Sequence, residues 1–371
     1  MKPKICHMTS VHPANDIRIF YKQCLSLHQY GYDVHLVAQG TLPPDFKGVI
    51  HHVIPVPSGE GRLRRMIFRA WRAYRIAKAT DAVIFHFHDP ELLPYGLWLK
   101  WRGKIVIYDA HEDLPRDVLT KSWIPSFLRK PISWIVERME NSLSRRLDRV
   151  ITATPHISQR FQAIGVHATD VKNYPCLTEF LVSSSITQHK PPFSVCYVGM
   201  ISEERGMIEM IQAVEALDTR LIMAGPFINK KTELLARSLP GWKKVDYRGI
   251  VSRHEIAHIF NESIAGICIF RPSSAHHEAL PNKLFEYMAA SLPVLSSNFI
   301  LWRTIVEQAK CGLCVDPLNV NEVRSSIEWM LQNSTDAKTM GQCGRHAVEE
   351  NYTWEVEAEK LNAVYQTVLA Q

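Results

Sequence analysis

Along this chain, short unbroken apolar runs alternate with longer stretches whose apolar residues recur every three to four positions. The runs Lys4–Thr9, Asp33–Ala38, Ala82–His86 and Lys104–Tyr108 read as strands covered on both faces, because a strand with one wet face would alternate strictly. Between the first two, residues 16 to 30 carry a helical period, so the chain opens as a βαβ unit. The pattern lapses over residues 176–192, a stretch rich in Ser that ends in Lys190-Pro191-Pro192, and this is the expected linker. It restarts with the strand Ser194–Val198, a glycine turn, a helix over Met207–Ala216, the strand Arg220–Ala224 and a further βα pair from Gly266 to Ala290. The prediction is an α/β chain of two doubly wound Rossmann-like domains, 1–175 and 193–352, with a closing helix over 353–371 that packs back on the first. Ligands of such sheets sit at the carboxyl ends of strands, so the site is expected in a central cleft that the two domains face.

Composition narrows the options. With 371 residues, 46% hydrophobic and 22% charged, the chain has the makeup of an ordinary folded protein. The net charge of +6 is uneven, with +9 on residues 1–182 and −3 on 183–371, so the halves face different partners. No window reaches the ~18 consecutive apolar residues of a spanning helix. The eight cysteines are scattered through strand-like runs and no secretory leader precedes them, which places the expected compartment in the cytoplasm. No module for reading nucleic acid is present.

Several cofactor chemistries lose support at once. The turn after the first strand reads Ser10-Val11-His12-Pro13-Ala14-Asn15-Asp16, without the glycines of a dinucleotide fingerprint, and Gly59-Glu60-Gly61 has Arg64 where a third glycine belongs. There is no Walker sequence and no Asp-x-Asp clamp for a metal–diphosphate complex, so no metal or other cofactor is expected. His254-Glu255-Ile256-Ala257-His258 matches the zinc hydrolase string, with Glu278 downstream as a third ligand. Ile256, Ile259 and Phe260, however, define a buried stripe that turns both histidines outward. Cys311-Gly312-Leu313-Cys314 lacks a partner pair and reads as a buried strand edge.

The strongest chemistry lies between Glu278 and Ala290. Pro281 stands where a helix begins, so the free amides of Asn282, Lys283 and Leu284 point at an anion, and Lys283 adds a full charge. Glu286, about one turn on, suits sugar or ribose hydroxyls. Glu278 precedes the helix and reaches a group attached to the phosphate. The strand Ser194–Val198 runs into Gly199-Met200-Ile201-Ser202-Glu203-Glu204-Arg205-Gly206, which presents Arg205 to the same place.

Here the chain resembles the retaining glycosyltransferases of family four, which have the two-domain GT-B fold. The resemblance rests on the turn ending in Arg205-Gly206, on two glutamates seven residues apart (Glu278 and Glu286), and on Ala289-Ala290-Ser291-Leu292-Pro293-Val294. It extends to Trp354-Glu355 with the closing helix and to Ile107-Tyr108-Asp109-Ala110-His111-Glu112. It implies a nucleotide-diphosphate sugar as donor, held by Arg205, Asn282, Lys283, Leu284 and Glu286. It further implies a glycan or lipid-linked acceptor on the N-terminal domain, and catalysis by Glu278, His111, Arg205 and Lys283 without a metal. Met200 replaces the family's usual arginine, and Ala14-Asn15-Asp16 replaces a Gly-Gly pair. A GT-B epimerase and a non-catalytic nucleotide-sugar binder remain the alternatives.

The basic half adds a surface reading. Over residues 62–78 a helical projection puts Leu63, Met66, Ile67, Ala70, Trp71, Tyr74 and Ala77 on a packed face and Arg62, Arg64, Arg65, Arg69, Arg72 and Arg75 on the other. With the apolar-basic stretch Trp123–Lys130, this predicts docking on an anionic membrane surface.

Overall fold

The computed structural model describes residues 2–42, 48–56, 61, 64–121, 124–180 and 193–371. Most of the expected linker, Gly59-Glu60, Arg62, Leu63 and Trp123 lie outside the described residues, as does the Arg65 side chain. The chain divides into two compact units: Met1–Asn173 with Glu355–Gln371, and Tyr174–Trp354.

The first unit is built on a parallel seven-stranded sheet of β1 (Lys4–Pro13), β2 (Asp33–Gln39), β3 (Val49–Val53), β4 (Ile84–Phe87), β5 (Ile105–Ala110), β6 (Arg149–Thr152) and β7 (Ala168–Asp170). Their spatial order is β3-β2-β1-β4-β5-β6-β7. Every residue of β4 is buried, as an unbroken apolar run requires when both sheet faces are covered. After β1 the Asp16 carboxylate caps the next helical stretch, accepting from the amides of Arg18 and Ile19, both at 2.9 Å. That cap aims Arg18 at Asp109 on β5. Its Nε and Nη2 donate to the two carboxylate oxygens at 3.1 and 2.8 Å, and Nη1 donates to the Val171 carbonyl at 2.8 Å. Asp109 is fully buried and also accepts from Gln23 at 2.7 Å.

The closing helix, Trp354–Leu369, contributes residues from Glu355 onward to this unit. Its Tyr365 is buried, with the hydroxyl 2.7 Å from His86 Nδ1 and 3.1 Å from His7 Nε2.

The helix over residues 62–78 departs from expectation. Residues Arg65–Arg69 form a π-helical turn before the α-helix Ala70–Ala79. A π turn closes i to i+5, so it rotates every later position against a 3.6-residue projection. Ala70, Tyr74 and Ala77 pack as expected, but Met66, Ile67 and Trp71 are exposed. Arg69 is instead buried, donating to Gln39 Oε1 at 2.6 Å and to the Ser10 carbonyl at 3.3 Å.

In the second unit β8 (Phe193–Val198), β9 (Thr219–Ala224), β10 (Val245–Gly249), β11 (Ala265–Cys268), β12 (Val294–Ser297) and β13 (Gly312–Val315) form a parallel sheet. The order is β10-β9-β8-β11-β12-β13, so the winding reverses between β8 and β11. That reversal opens a crevice beyond their carboxyl ends. Tyr174 packs on Phe285 (ring centroids 4.8 Å apart) and Phe180 on Phe260 (5.7 Å), which ties residues 174–180 into this unit's core. Cys311, just before the outermost strand β13, is buried, and Cys314 lies within that strand.

Breaking the Arg18–Asp109 pair strands a buried carboxylate, which typically costs about 3–5 kcal/mol. Arg18→Met is expected to lower the unfolding free energy of the first unit, read from urea denaturation of the full chain, by an amount in that range; an unchanged midpoint and slope would show the pair to be dispensable.

Candidate functional site

The loop after β8 is shaped by two glycines. Gly199 has φ +134° and Gly206 has φ +70°, values that L side chains rarely adopt. A Cβ on Gly206 would stand 2.6 Å from the Ile269 carbonyl oxygen, so the turn Glu203–Arg205 can press against the end of β11 only with glycine there. The helix Met207–Val214 follows directly and anchors the turn with Met207, Met210 and Ile211. Arg205, half-buried, lies with its guanidinium carbon 5.5 Å from the Phe270 ring centroid.

Lys283 comes to the same ring from the other side of the crevice. It sits in the first turn of the helix Asn282–Ala289, is only 7% exposed, and holds Nζ 3.6 Å from the Tyr197 ring centroid and 5.1 Å from that of Phe270. Its ammonium has no hydrogen-bond partner among the described residues. Burial pushes its pKa down from 10.5 to about 7, and repulsion from Arg205 adds to the fall against the pull of Glu286. A buried cation without an anion is costly. The ring faces of Tyr197 and Phe270 offset part of that cost, and an incoming anion would supply the rest. Gly199 keeps the space open, since a Cβ there would come within 3.2 Å of the Nζ.

The other expected residues sort around this pair. Pro281 precedes the helix as its N-cap and Asn282 is exposed at its first position. Leu284 departs from the expectation: its amide donates to the Pro281 carbonyl at 3.0 Å and its side chain is buried in the core. The reason is the tight first turn, which closes on residue 281 and leaves at most the amides before it for a ligand. Glu286 accepts at Oε1 from Arg253 at 2.9 Å. Arg253, which sequence reasoning missed, also pairs with Glu179. Burial opposes its charge, but the two carboxylates outweigh it and hold the guanidinium above its ordinary range. Glu278 ends the short helix Ser274–Glu278 and is exposed, with no contact that joins it to Lys283 or Arg205.

The zinc-like string has another explanation. Glu255 closes a capping box with Ser252, accepting from its amide and hydroxyl at 2.7 Å each, and His254 and His258 are exposed. The glutamate that would act as a base is therefore a helix cap.

His111 lies in the first unit, just past β5, with 17% of its side chain exposed. Its Nε2 stands 3.3 Å from Asp109 Oδ2 and 3.1 Å from His88 Nδ1. Behind it His88 Nε2 faces His7 Nδ1 at 3.0 Å, and His7 and His86 meet at Tyr365. Burial pushes His88 down to about 4 and holds His7 and His86 well below their usual value, so this row of imidazoles is neutral near pH 7. Burial alone would raise Asp109, yet Arg18 and the adjoining imidazoles hold it well below the carboxylate range.

Lys283 supplies a signed pH test. Between about pH 7 and 10.5 the unfolded chain carries a proton on this lysine that the folded chain lacks, so this residue makes stability rise with pH across that window. An anion bound at Lys283 reverses the imbalance. At pH 8, pyrophosphate binding is expected to take up a proton, seen as a binding enthalpy that varies with buffer ionisation enthalpy, and Lys283→Met should abolish the uptake. Equal uptake in both proteins would remove Lys283 from the anion site.

Two family models match, one per unit: Glycosyltransferase Family 4 over residues 18–176 and Glycosyl transferases group 1 over residues 183–347. Spore coat protein SA of Bacillus subtilis (strain 168) is 26% identical over 185 residues, 46% of this chain and 48% of that protein. The capsular polysaccharide biosynthesis glycosyltransferase CapM of Staphylococcus aureus is 22% identical over 189 residues, 48% and 47% respectively. The chain thus spans about half the length of the curated relatives it matches. Among solved structures, sucrose-phosphate synthase from Thermosynechococcus elongatus superposes with a TM-score of 0.78 at 16% identity over 100% of both chains. Anabaena HepE in complex with UDP and glucose gives 0.74 at 12% identity over 99% of each. With two doubly wound parallel sheets and a matching family model on each, the chain belongs to the group 1 glycosyltransferases of the GT-B fold.

Proposed function

We propose that this protein is a retaining glycosyltransferase that moves a sugar from a nucleotide-diphosphate donor to a glycan or lipid-linked acceptor in cell-surface polysaccharide synthesis. The observation that carries the reading is the unpaired, buried ammonium of Lys283, which shares the Phe270 ring with Arg205 at the crevice between β8 and β11. Departure of a nucleoside diphosphate from an anomeric carbon develops negative charge on the diphosphate. Cations already aimed at that charge lower the barrier without reorganising. Arg205 supplies one full charge, Lys283 a second once the diphosphate draws a proton onto it, and the helix Asn282–Ala289 adds its N-terminal dipole, so the diphosphate needs no metal. HepE, a fold relative, is a protein in complex with UDP and glucose, in keeping with a nucleotide-sugar donor. CapM's role in capsular polysaccharide biosynthesis fits the proposed pathway class.

In this reading Glu286, its Oε1 held by Arg253, offers Oε2 to the ribose hydroxyls, and Glu278 orients hydroxyls of the transferred sugar. His111 contacts the sugar or assists the departing proton. Retention follows from front-face attack on the side the leaving group vacates, with no protein nucleophile.

The acceptor reading rests on the surface of the first unit. No helix among the described residues is long and apolar enough to cross a membrane. Yet Met66, Ile67, Phe68 and Trp71 are exposed beside Arg72 and Arg75, and Phe127, Trp134, Ile135 and Met139 are exposed on the helix Ser126–Ser144 beside Arg129, Lys130 and Arg138. Apolar side chains flanked by cations suit the headgroup region of an anionic bilayer, at its cytoplasmic face.

Losing either Arg205 or Lys283 is expected to lower kcat on the best nucleotide sugar of a panel by about 10²–10³. The product should keep the donor's anomeric configuration by NMR. Wild-type turnover in both Arg205→Ala and Lys283→Met would remove the proposal. The chain is also expected to float with anionic liposomes at low salt, and Phe127→Ser with Trp134→Ser should reduce the bound fraction several-fold. No flotation at low salt would sink the surface reading.

A further inference from the structure

The geometry points to a divalent-metal site of the zinc class in the first unit, formed by His88 Nδ1, Asp109 Oδ2 and His111 Nε2. It is separate from the Lys283 and Arg205 anion site but shares His111 with the proposed function: with a metal on Nε2, that imidazole would meet the sugar through the metal's open position and would not take the departing proton. The three ligand atoms stand 3.1 Å (His88 to His111), 3.4 Å (His88 to Asp109) and 3.3 Å (His111 to Asp109) apart. Zinc binds nitrogen at about 2.0–2.1 Å and carboxylate oxygen at about 2.0–2.2 Å, and the edge of such a tetrahedron is about 3.3–3.5 Å. The triangle therefore has the size of one tetrahedral face. His88 and Asp109 are buried, while His111 is partly exposed, which leaves a fourth position open to water or a substrate oxygen.

The row of side chains behind the triangle has a tautomer set that gives His88 the form a metal needs. His88 Nε2–H donates to His7 Nδ1, His7 Nε2–H donates to the Tyr365 oxygen, and the Tyr365 hydroxyl donates to His86 Nδ1; the contacts are 3.0, 3.1 and 2.7 Å. These tautomers are one of the two sets the network allows; they leave the buried His86 Nε2–H without an acceptor, whereas the reverse set puts a proton on His88 Nδ1 that a bound metal would displace. The first set leaves the His88 Nδ1 lone pair bare and directed at its two neighbours. The carboxylate is fixed in the same way, by Arg18 on both oxygens and Gln23 on Oδ2. Such outer contacts orient ligands and tune affinity. With Arg18 neutralising Asp109, the carboxylates of Asp16 and Asp89 remain to offset a divalent charge. Both face His12, at 3.2 and 3.6 Å, and its ring lies 5.1 Å from that of His111.

The test uses the full chain, stripped with chelator and titrated with Co²⁺. One equivalent of Co²⁺ is expected to give the intense visible band of tetrahedral coordination, displaced by Zn²⁺. His111→Ala and His88→Gln, each checked for an intact fold by circular dichroism, should weaken Co²⁺ binding by about 100-fold or more. His254→Ala with His258→Ala removes an exposed pair, rings 4.6 Å apart, that can bind metal adventitiously, and should leave the band in place. Absence of a tetrahedral band in the wild type overturns the site. So does a band that survives His111→Ala but vanishes with His254 and His258.

Discussion

The second unit is organised around a charge that folding leaves unanswered. Lys283 is drawn into the protein by the helix that begins beside it, and its ammonium ends against two aromatic rings with no acceptor in reach among the described residues. Burying a polar group without a partner works against stability, so such an arrangement persists only where something else rewards it. The neighbours make sense in those terms. Gly199 leaves room above the Nζ, Gly206 lets the Arg205 turn close on β11, and the strand order reverses at this place. An anion with two negative groups would answer Arg205 and Lys283 together.

The first unit solves the opposite problem, a buried anion. Asp109 sits at the end of β5 with its charge matched by Arg18 and shared among Gln23 and the imidazoles around it. Arg18 reaches it because the Asp16 cap starts a helix directly after β1, and Tyr365 closes the far end of the histidine row from the last helix. Local chain signals and the sheet's parallel order thus bring side chains from four separated segments to one point.

Much of this was legible from residue patterns. Strands covered on both faces leave unbroken apolar runs, which is why β1, β2, β4, β5, β8 and β9 stand close to where those runs lie. The Arg205 and Lys283 pairing was also readable, because a glycine turn after a strand and a proline-led helix are local features. What escaped is non-local or breaks a regular period. The π turn at Arg65–Arg69 defeated a 3.6-residue projection and reversed the placing of Trp71 and Arg69. The Leu284 amide was lost to a tight first turn. Arg253 was invisible because its partner carboxylates lie 33 and 74 positions away. The histidine row did leave a signal: His86-x-His88 and Asp109-x-His111 have the period of two that puts each pair on one face at the ends of adjacent strands.

The central claim is that Arg205 and Lys283 act on one anion. A double-mutant cycle on nucleoside diphosphate affinity tests this most directly, using Arg205→Ala, Lys283→Met and the pair of changes together in the full chain. Two cations on a shared diphosphate should be coupled by about 1 kcal/mol or more, so that the second change costs less once the first is made. Strictly additive losses, or an affinity that neither change alters, would contradict the account.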